Sequence, residues 1–521
     1  MANQRPDAAP VVNPWIIAVA VMLSTFMEVL DTTVVNVSLP HIAGSLSATV
    51  DESTWALTSY LVANAIVLPI TGWMANYFGR KRLLMMAVTG FTAASFLCGL
   101  AWNLPALVFF RIVQGACGGG LQPISQAVLL ESFRPVDRGK AMGFWGLGIV
   151  VAPMLGPVLG GWLTDSYSWR WVFYINIPVG IASIVMTKLY LFDPPYIRRA
   201  SSKIDYWGIG MLAVGVGALQ VVLDRGQEAD WFSAHWITAL AVVSVIGFVI
   251  FFINELRTPH PVVHLTVFRE RTYATGVFLM TVLGFVLYGS LVILPILLQT
   301  LLGYPALQAG IAMAPRGLGS FVAMPLVGII MSKFDPRKLL SFGILVAAFT
   351  LFQLSWLNLS AGYWDIFWPQ IIQGVSLGFL FVPLTTTTMD LVPKEEMGNA
   401  TSIFNLMRNI GGSMGIAGAT TLIDRRIQTY TNVLGANVNP YRPSVFERMQ
   451  AMQRAFVAGG ADAYTAGQKA LAAMFGAVER QASMLSFNEA FRALGFLFVL
   501  IVPLVFLLKR PRTSADITAG H

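Results

Sequence analysis

The chain has 521 residues, of which 56% are hydrophobic and 12% charged, with a mean hydropathy of +0.66. A soluble chain carries about 25% charged residues, so an ordinary soluble enzyme is excluded and an all-α polytopic membrane protein is implied. In such a chain the net charge of +8 belongs to positive loops on one side of the membrane, not to a nucleic-acid surface.

The first predicted span, 15–38, is long enough to cross a bilayer, which takes about 20 residues. It carries two carboxylates, Glu28 and Asp31, near its middle. A charge at bilayer depth costs roughly 2.5–3.5 kcal/mol, so these acids face a cavity or a partner. Spaced three apart, they share one helix face and suggest a proton or cation site in a transporter; a structural pair neutralised by a neighbouring helix is the alternative.

Five more spans follow at 54–76, 83–101, 105–130, 140–163 and 170–191. A polar linker, DPPYIRRASSK, leads to a pair at 205–223 and 235–255. A second linker leads to six more, at 273–299, 307–332, 338–358, 365–389, 399–423 and 487–508. The predicted organisation is an N-terminal six-helix bundle (1–192), a two-helix insertion (193–264) and a C-terminal six-helix bundle (265–521). Basic residues cluster in alternate loops, as in Arg80-Lys81-Arg82, Arg134 to Lys140, Arg269 to Arg271, and Lys333 to Lys338. The short loops between them carry only Arg170 and Arg225, so both termini are expected on the cytoplasmic side. Cys98 and Cys117 both lie in apolar segments, which argues against a disulfide framework.

The two six-span halves repeat. PITGWMANYFGRKRLL from Pro69 matches PLVGIIMSKFDPRKLL from Pro325, and Ile112 to Gly115 recurs as Ile371 to Gly374 three residues out of that register. Equal sidedness makes this a parallel repeat about the membrane normal.

Four stretches then carry a family resemblance: LDTTVVNVSLP at 30–40, GWMANYFGRKR at 72–82, RIVQG at 111–115 and APMLGPVLGG at 152–161, the last followed by WRWVFYINIPVG. In this order they resemble the major facilitator superfamily, and within it the fourteen-helix drug/proton antiporters of the EmrB and QacA kind. The resemblance implies a proton-coupled multidrug efflux antiporter, alternating access between two halves, and a place in the cell inner membrane. It also implies proton coupling by Asp31 and Glu28 with Arg111, an arginine that needs an acceptor inside an apolar span. Gating is expected at Gly72, Asn76, Gly79, Arg80, Lys81 and Gln114, and at the helix-5 positions Gly156, Pro157, Gly160 and Gly161, small residues that permit close packing and a bend. Where the family carries an acid and then an arginine, this chain has Asn76 and Tyr77, so a latch at that position can hydrogen-bond only without charge assistance.

Polar and aromatic residues inside spans are candidate substrate-cavity lining: Asn36, Asn64, Gln126, Trp145, Tyr288, Arg316, Gln370, Gln373, Phe404 and Arg408. The alternatives are interhelical hydrogen bonds for the amides and a lipid-facing position for Trp145, Tyr288 and Phe404. Three mid-span arginines against two acids predict tolerance of anionic, weak-acid substrates. No phosphate loop, paired-histidine metal motif or serine elbow occurs, so no enzyme, metal or cofactor is expected, and the energy source is a proton gradient. Expected partners are amphipathic small molecules, protons and membrane lipids, with no nucleic acid.

A loop at 424–486 is rich in good helix formers, with a break at Gly459-Gly460, and predicts two helices outside the membrane. Phe446, Met449, Met452 and Phe456 recur there at helical spacing. Such a stripe forms either a lid on the transporter or, as the resemblance implies, a dock for a periplasmic adaptor of the EmrA kind leading to an outer-membrane channel.

Overall fold

The computed structural model describes residues 13–193, 205–259, 261–331, 333–439 and 441–509, and every regular element among them is helical. Arg5, Arg198, Arg199, Lys203, Arg510 and Arg512 lie outside the described residues, as does the side chain of Pro157. Thirteen helices are long and apolar enough to span a bilayer. They begin with α1 (Pro14–Ser45), α2 (Trp55–Phe78), α3 (Arg80–Gly99), α4 (Leu104–Ser132), α5 (Arg138–Ser166) and α6 (Asn176–Tyr190). Then come α7 (Tyr206–Arg225), α8 (His235–Arg257), α9 (Arg271–Ile296), α10 (Leu307–Ile330), α11 (Pro336–Leu354) and α12 (Tyr363–Met389). After them stand α13 (Met397–Gly435), α14 (Pro443–Ala458) and α15 (Ala463–Val505).

The expected span at 399–423 lies within α13, which is too polar to count among the thirteen. Its polar and small residues face other helices instead of lipid. A Cβ on Gly411 would lie 2.1 Å from the carbonyl of Thr281, and one on Gly415 2.0 Å from that of Phe285, so α13 runs tightly along α9.

The ends of several helices have local causes. Asn13 caps α1 by accepting from the Trp15 amide at 3.0 Å, with Pro14 in the first turn where its missing N–H costs nothing. Gly119 and Gly120 interrupt α4, and Pro295 precedes a π-helical turn at Leu297–Leu301 that closes α9. The expected loop at 424–486 is not a separate unit. α13 runs on to Gly435, and α15 is one continuous helix from Ala463 into the last span, because no breaker falls between the extramembrane and membrane parts. The break at Gly459-Gly460 does occur, with Gly460 at φ +92° and Asp462 capping α15. Met449, Met452 and Phe456 are half-buried on α14, which folds back on α15 where Ala466, Ala470 and Met474 are buried; Phe446 remains exposed.

On the face that carries Asn13 and Lys509, the repeat becomes spatial. Gly72 of α2 packs on the start of α13, where a Cβ would sit 2.6 Å from Asn399 Cα. Its repeat partner Gly328 of α10 packs on the start of α5, where a Cβ would sit 2.7 Å from the Gly139 carbonyl. Each half thus seats its second helix against the fifth helix of the other half, and on this face the two are closed together. The second linker is part of the seal: Val262 and Val263 are buried, and His264 exchanges backbone bonds with the Asn399 amide at 3.2 and 2.9 Å. The pair α7 and α8 stands beside the seam. Arg225 donates to the Thr54 hydroxyl just before α2, while Gln220 donates to Ser413 of α13 at 2.9 Å.

Candidate functional site

Asp31 of α1 is fully buried and its carboxylate is enclosed by three donors from two helices, α4 and α6. Arg111 Nη1 donates to Oδ2 at 2.5 Å, Gln114 Nε2 to Oδ1 at 2.9 Å, and Asn176 Nδ2 to Oδ1 at 2.7 Å. Arg111 is held in turn: its Nε donates to the Ala56 carbonyl at 2.9 Å, and its guanidinium lies 4.1 Å over the Tyr60 ring. Ser95 of α3 accepts from Asn176 at 2.9 Å and from Gln114 at 3.2 Å, and donates to the Phe173 carbonyl. Five helices therefore converge on one buried ion pair. At bilayer depth such a pair persists only because each partner is hydrogen-bonded beyond the pair itself.

Glu28, one turn away on α1, does not join that pair. Its Oε1 accepts from Asn64 of α2 at 3.0 Å, and it lies within electrostatic reach of Arg408 on α13, with Gln122 of α4 beside it. Arg408 Nη2 donates to the Gln122 carbonyl oxygen, while its Nε and Nη1 have no hydrogen-bond partner among the described residues. Asp31 is thus enclosed within the N-terminal bundle, whereas Glu28 faces the seam. Below it the seam is sealed by Asn405 donating to Gln126 at 2.5 Å and by Thr401 donating to the Pro123 carbonyl at 3.1 Å.

The expected substrate-cavity residues do not line one common cavity among the described residues, because the closed seam buries several of them in contacts. Trp145 donates to Thr25 at 3.2 Å and Phe404 is 1% exposed, so both are packing residues here and neither faces lipid. Tyr288 is half-buried against Gly412, and Asn36 is exposed on α1. Gln370 donates to Gln373 at 3.4 Å, and Gln373 shares a small cavity with Arg316 inside the C-terminal bundle.

Among the expected gating residues, Gln114 lies in the Asp31 cluster and not at a gate. Asn76 is half-buried and its side chain makes no hydrogen bond among the described residues. The contacts run one turn later. Gly79 turns the chain at φ +86°, Arg80 pairs with Glu131 at the end of α4, and its Nη2 reaches the Lys394 carbonyl of the other half at 3.4 Å. Lys81 donates to the Lys188 carbonyl at the end of α6, where a cation suits the helix dipole. On α5, a Cβ at Gly156 would lie 2.1 Å from Thr33 Oγ1, and one at Gly160 2.9 Å from the Val34 carbonyl. Gly161 has open space on its Cβ side, so close packing on α1 does not require it.

The model of the Major Facilitator Superfamily matches residues 21–416, about three quarters of the chain. The chain belongs to the Major Facilitator Superfamily. It is 37% identical over 500 residues to the fatty acid resistance protein FarB of Neisseria gonorrhoeae, covering 96% of both chains. It is 38% identical over 503 residues to the multidrug export protein EmrB of Haemophilus influenzae, covering 95% of this chain and 96% of that one. These likenesses place it among the EmrB-type multidrug export permeases of the superfamily. Among solved structures, the human organic anion transporter MFSD10 superposes with a TM-score of 0.64 over 96% of this chain and all of that one; at 12% identity this likeness concerns the fold. The chain is a multi-pass membrane transporter and not an enzyme.

Within this facilitator chain, sequence reasoning missed Asn176, Ser95, Gln122 and Glu131. Asn176 stands in the WRWVFYINIPVG stretch, and a polar amide inside an apolar run was the signal that could have found it. Glu131 was hidden at a helix end, where an acid needs no special explanation.

Proposed function

We propose that this permease exports amphipathic compounds from the cytoplasm in exchange for protons, by alternating access of its two six-helix halves, with both termini cytoplasmic. The observation that carries the coupling is the buried Asp31–Arg111 pair with its complete donor shell. A proton arriving at Asp31 neutralises the acceptor of three hydrogen bonds at once. Arg111 then loses its counter-charge, and the cluster binding α1 to α3, α4 and α6 must rearrange. Glu28, facing Arg408 across the seam, is the second coupling group, because its surroundings change when the halves part.

Lipophilic weak acids are the favoured substrate class. Arg316 and Arg408 are buried guanidinium groups with unpartnered nitrogens, and the relative FarB is named for fatty acid resistance. The exposed apolar side chains Phe446, Val457, Leu471 and Phe475 on the α14–α15 hairpin favour a periplasmic adaptor and outer-membrane channel as partners, and hence the inner membrane of a double-membraned cell.

Substrate-driven proton release from purified protein tests this proposal. Wild type should release protons on adding a lipophilic acid, and Asp31→Asn should not. Equal release from both would overturn the assignment.

A further inference from the structure

The C-terminal half contains a counterpart of the Asp31–Arg111 pocket with the positive charge kept and the negative charge missing. Nine residues before Pro69 stands Tyr60, and nine before its repeat partner Pro325 stands Arg316. The second repeat register takes Gln114 to Gln373 and Arg111 to Gln370. Packing supports both registers independently. A Cβ on Gly115 would lie 2.3 Å from the Tyr60 carbonyl oxygen, and a Cβ on Gly374 would lie 1.8 Å from the Arg316 carbonyl oxygen. The second and fourth helices of each half therefore cross at the same place.

In the N-terminal half five helices meet around Asp31. In the C-terminal half the corresponding five meet around a small cavity, lined by Ser290 of α9, Arg316 of α10, Ala347 of α11, Gln373 and Ser376 of α12, and Phe498 of α15. The arginine has moved from the fourth helix to the second. No residue lining the cavity is acidic. Arg316 is 4% exposed, its Nη2 has no hydrogen-bond partner, and no ion pair or hydrogen bond engages its guanidinium among the described residues. Its pseudo-symmetric pocket resolves the same problem with Asp31. A guanidinium stays charged in a protein, so a buried one without a carboxylate must take its counter-charge from elsewhere.

We propose that Arg316, with the Gln373 amide, binds a monovalent anion; the Ser290 and Ser376 hydroxyls, which donate to the Leu287 and Gln373 carbonyls at 2.9 and 2.7 Å, only line the cavity. The cavity of about 10 Å³ is at the lower limit for one water, so a halide, or the head of a carboxylate whose tail lies elsewhere, enters with a shift of the lining side chains. The second source deepens the weak-acid proposal above and rests on it; the first does not.

The test reads stability, so its failure leaves the Asp31 coupling proposal intact. The melting temperature of the purified protein is followed at constant ionic strength while gluconate is replaced by chloride, and separately on titration with dodecanoate or, as a control, dodecyltrimethylammonium. Wild type should show a saturable rise with an anion. Arg316→Gln should weaken that response on the order of ten- to a hundredfold, the loss of one charged hydrogen-bond partner. Gln373→Glu, which supplies the missing carboxylate from within, should make the protein indifferent to anions, and it decides the matter if Arg316→Gln fails to fold. A response to chloride identifies a halide site, and one to dodecanoate alone identifies a substrate head-group site. No rise in wild type with either anion, or a rise unchanged in the variants, overturns the proposal.

Discussion

Replacing Asp31 by asparagine keeps the size of the side chain and removes its charge. The carboxylate accepts from Arg111, Gln114 and Asn176 at 2.5, 2.9 and 2.7 Å, and an amide offers one oxygen and one donor in the same place. At least one of the three donors then faces an N–H group, and Arg111 is left buried without a counter-charge. Breaking one partner of a buried pair costs about 3–5 kcal/mol. At roughly 2–4 °C per kcal/mol for a bundle of this size, the melting temperature should fall by about 10 °C. Arg111→Gln should cost a similar amount. The double variant Asp31→Asn/Arg111→Gln should be more stable than the sum of the two predicts, because no unpaired charge remains. Thermal melts of the purified variants, with proton release followed by a pH dye, give both readouts. Strictly additive melting shifts, or proton release surviving in Asp31→Asn, would refute the reasoning.

Asn176→Leu should lower the melting temperature and reduce proton release without abolishing it, since the Asp31–Arg111 contact itself remains; the pH dye assay checks this. Arg80→Gln removes a partner of buried Glu131 and the reach to Lys394, so distances between spin labels across the terminal face should lengthen in a larger share of molecules. The joint substitution Leu471→Ser/Phe475→Ser should spare transport in proteoliposomes but abolish cellular resistance and adaptor co-purification, two exposed side chains of the hairpin being lost. Outside the membrane, the hydrogen bond from Lys509 holds the Glu270 carboxyl below its ordinary range. The stability it contributes is present above the usual carboxylate range and is lost as pH falls through the lowered value. Lys509→Ala should therefore flatten that part of the pH–melting curve.

Much of the fold was legible because lipid leaves a chain few choices. Backbone polar groups must be satisfied within each segment, so apolar runs become helices and their number follows from hydropathy. Hydropathy located α13 but missed its extent. The helix is rich in Gly, Asn, Thr and Ser because it lies against α9, α4 and α2, and a helix that touches little lipid need not look lipid-soluble. For the same reason the start of α15 was misplaced. Nothing in Ala463–Val505 breaks a helix at the membrane surface, and composition marks where a helix leaves the bilayer, not whether it ends there.

The site was legible in its charges and illegible in its pairings. Glu28, Asp31, Arg111, Arg316 and Arg408 each stand out because an ionised group in an apolar span demands a partner. Spacing along one helix puts Glu28 and Asp31 on one face, yet the two acids have separate environments. The deciding contacts come from α2, α6 and α13, remote in sequence. Gln114 illustrates the same limit: a glutamine beside a glycine in a repeated motif reads as a gating element, and only the convergence of five helices turns it into a ligand of Asp31. The repeat itself carried more information than its motif matches disclosed. Once Tyr60 and Arg316 occupy equivalent places, the question of what neutralises Arg316 follows from the symmetry, and an acid present in one half and absent from the other becomes the most informative difference between them.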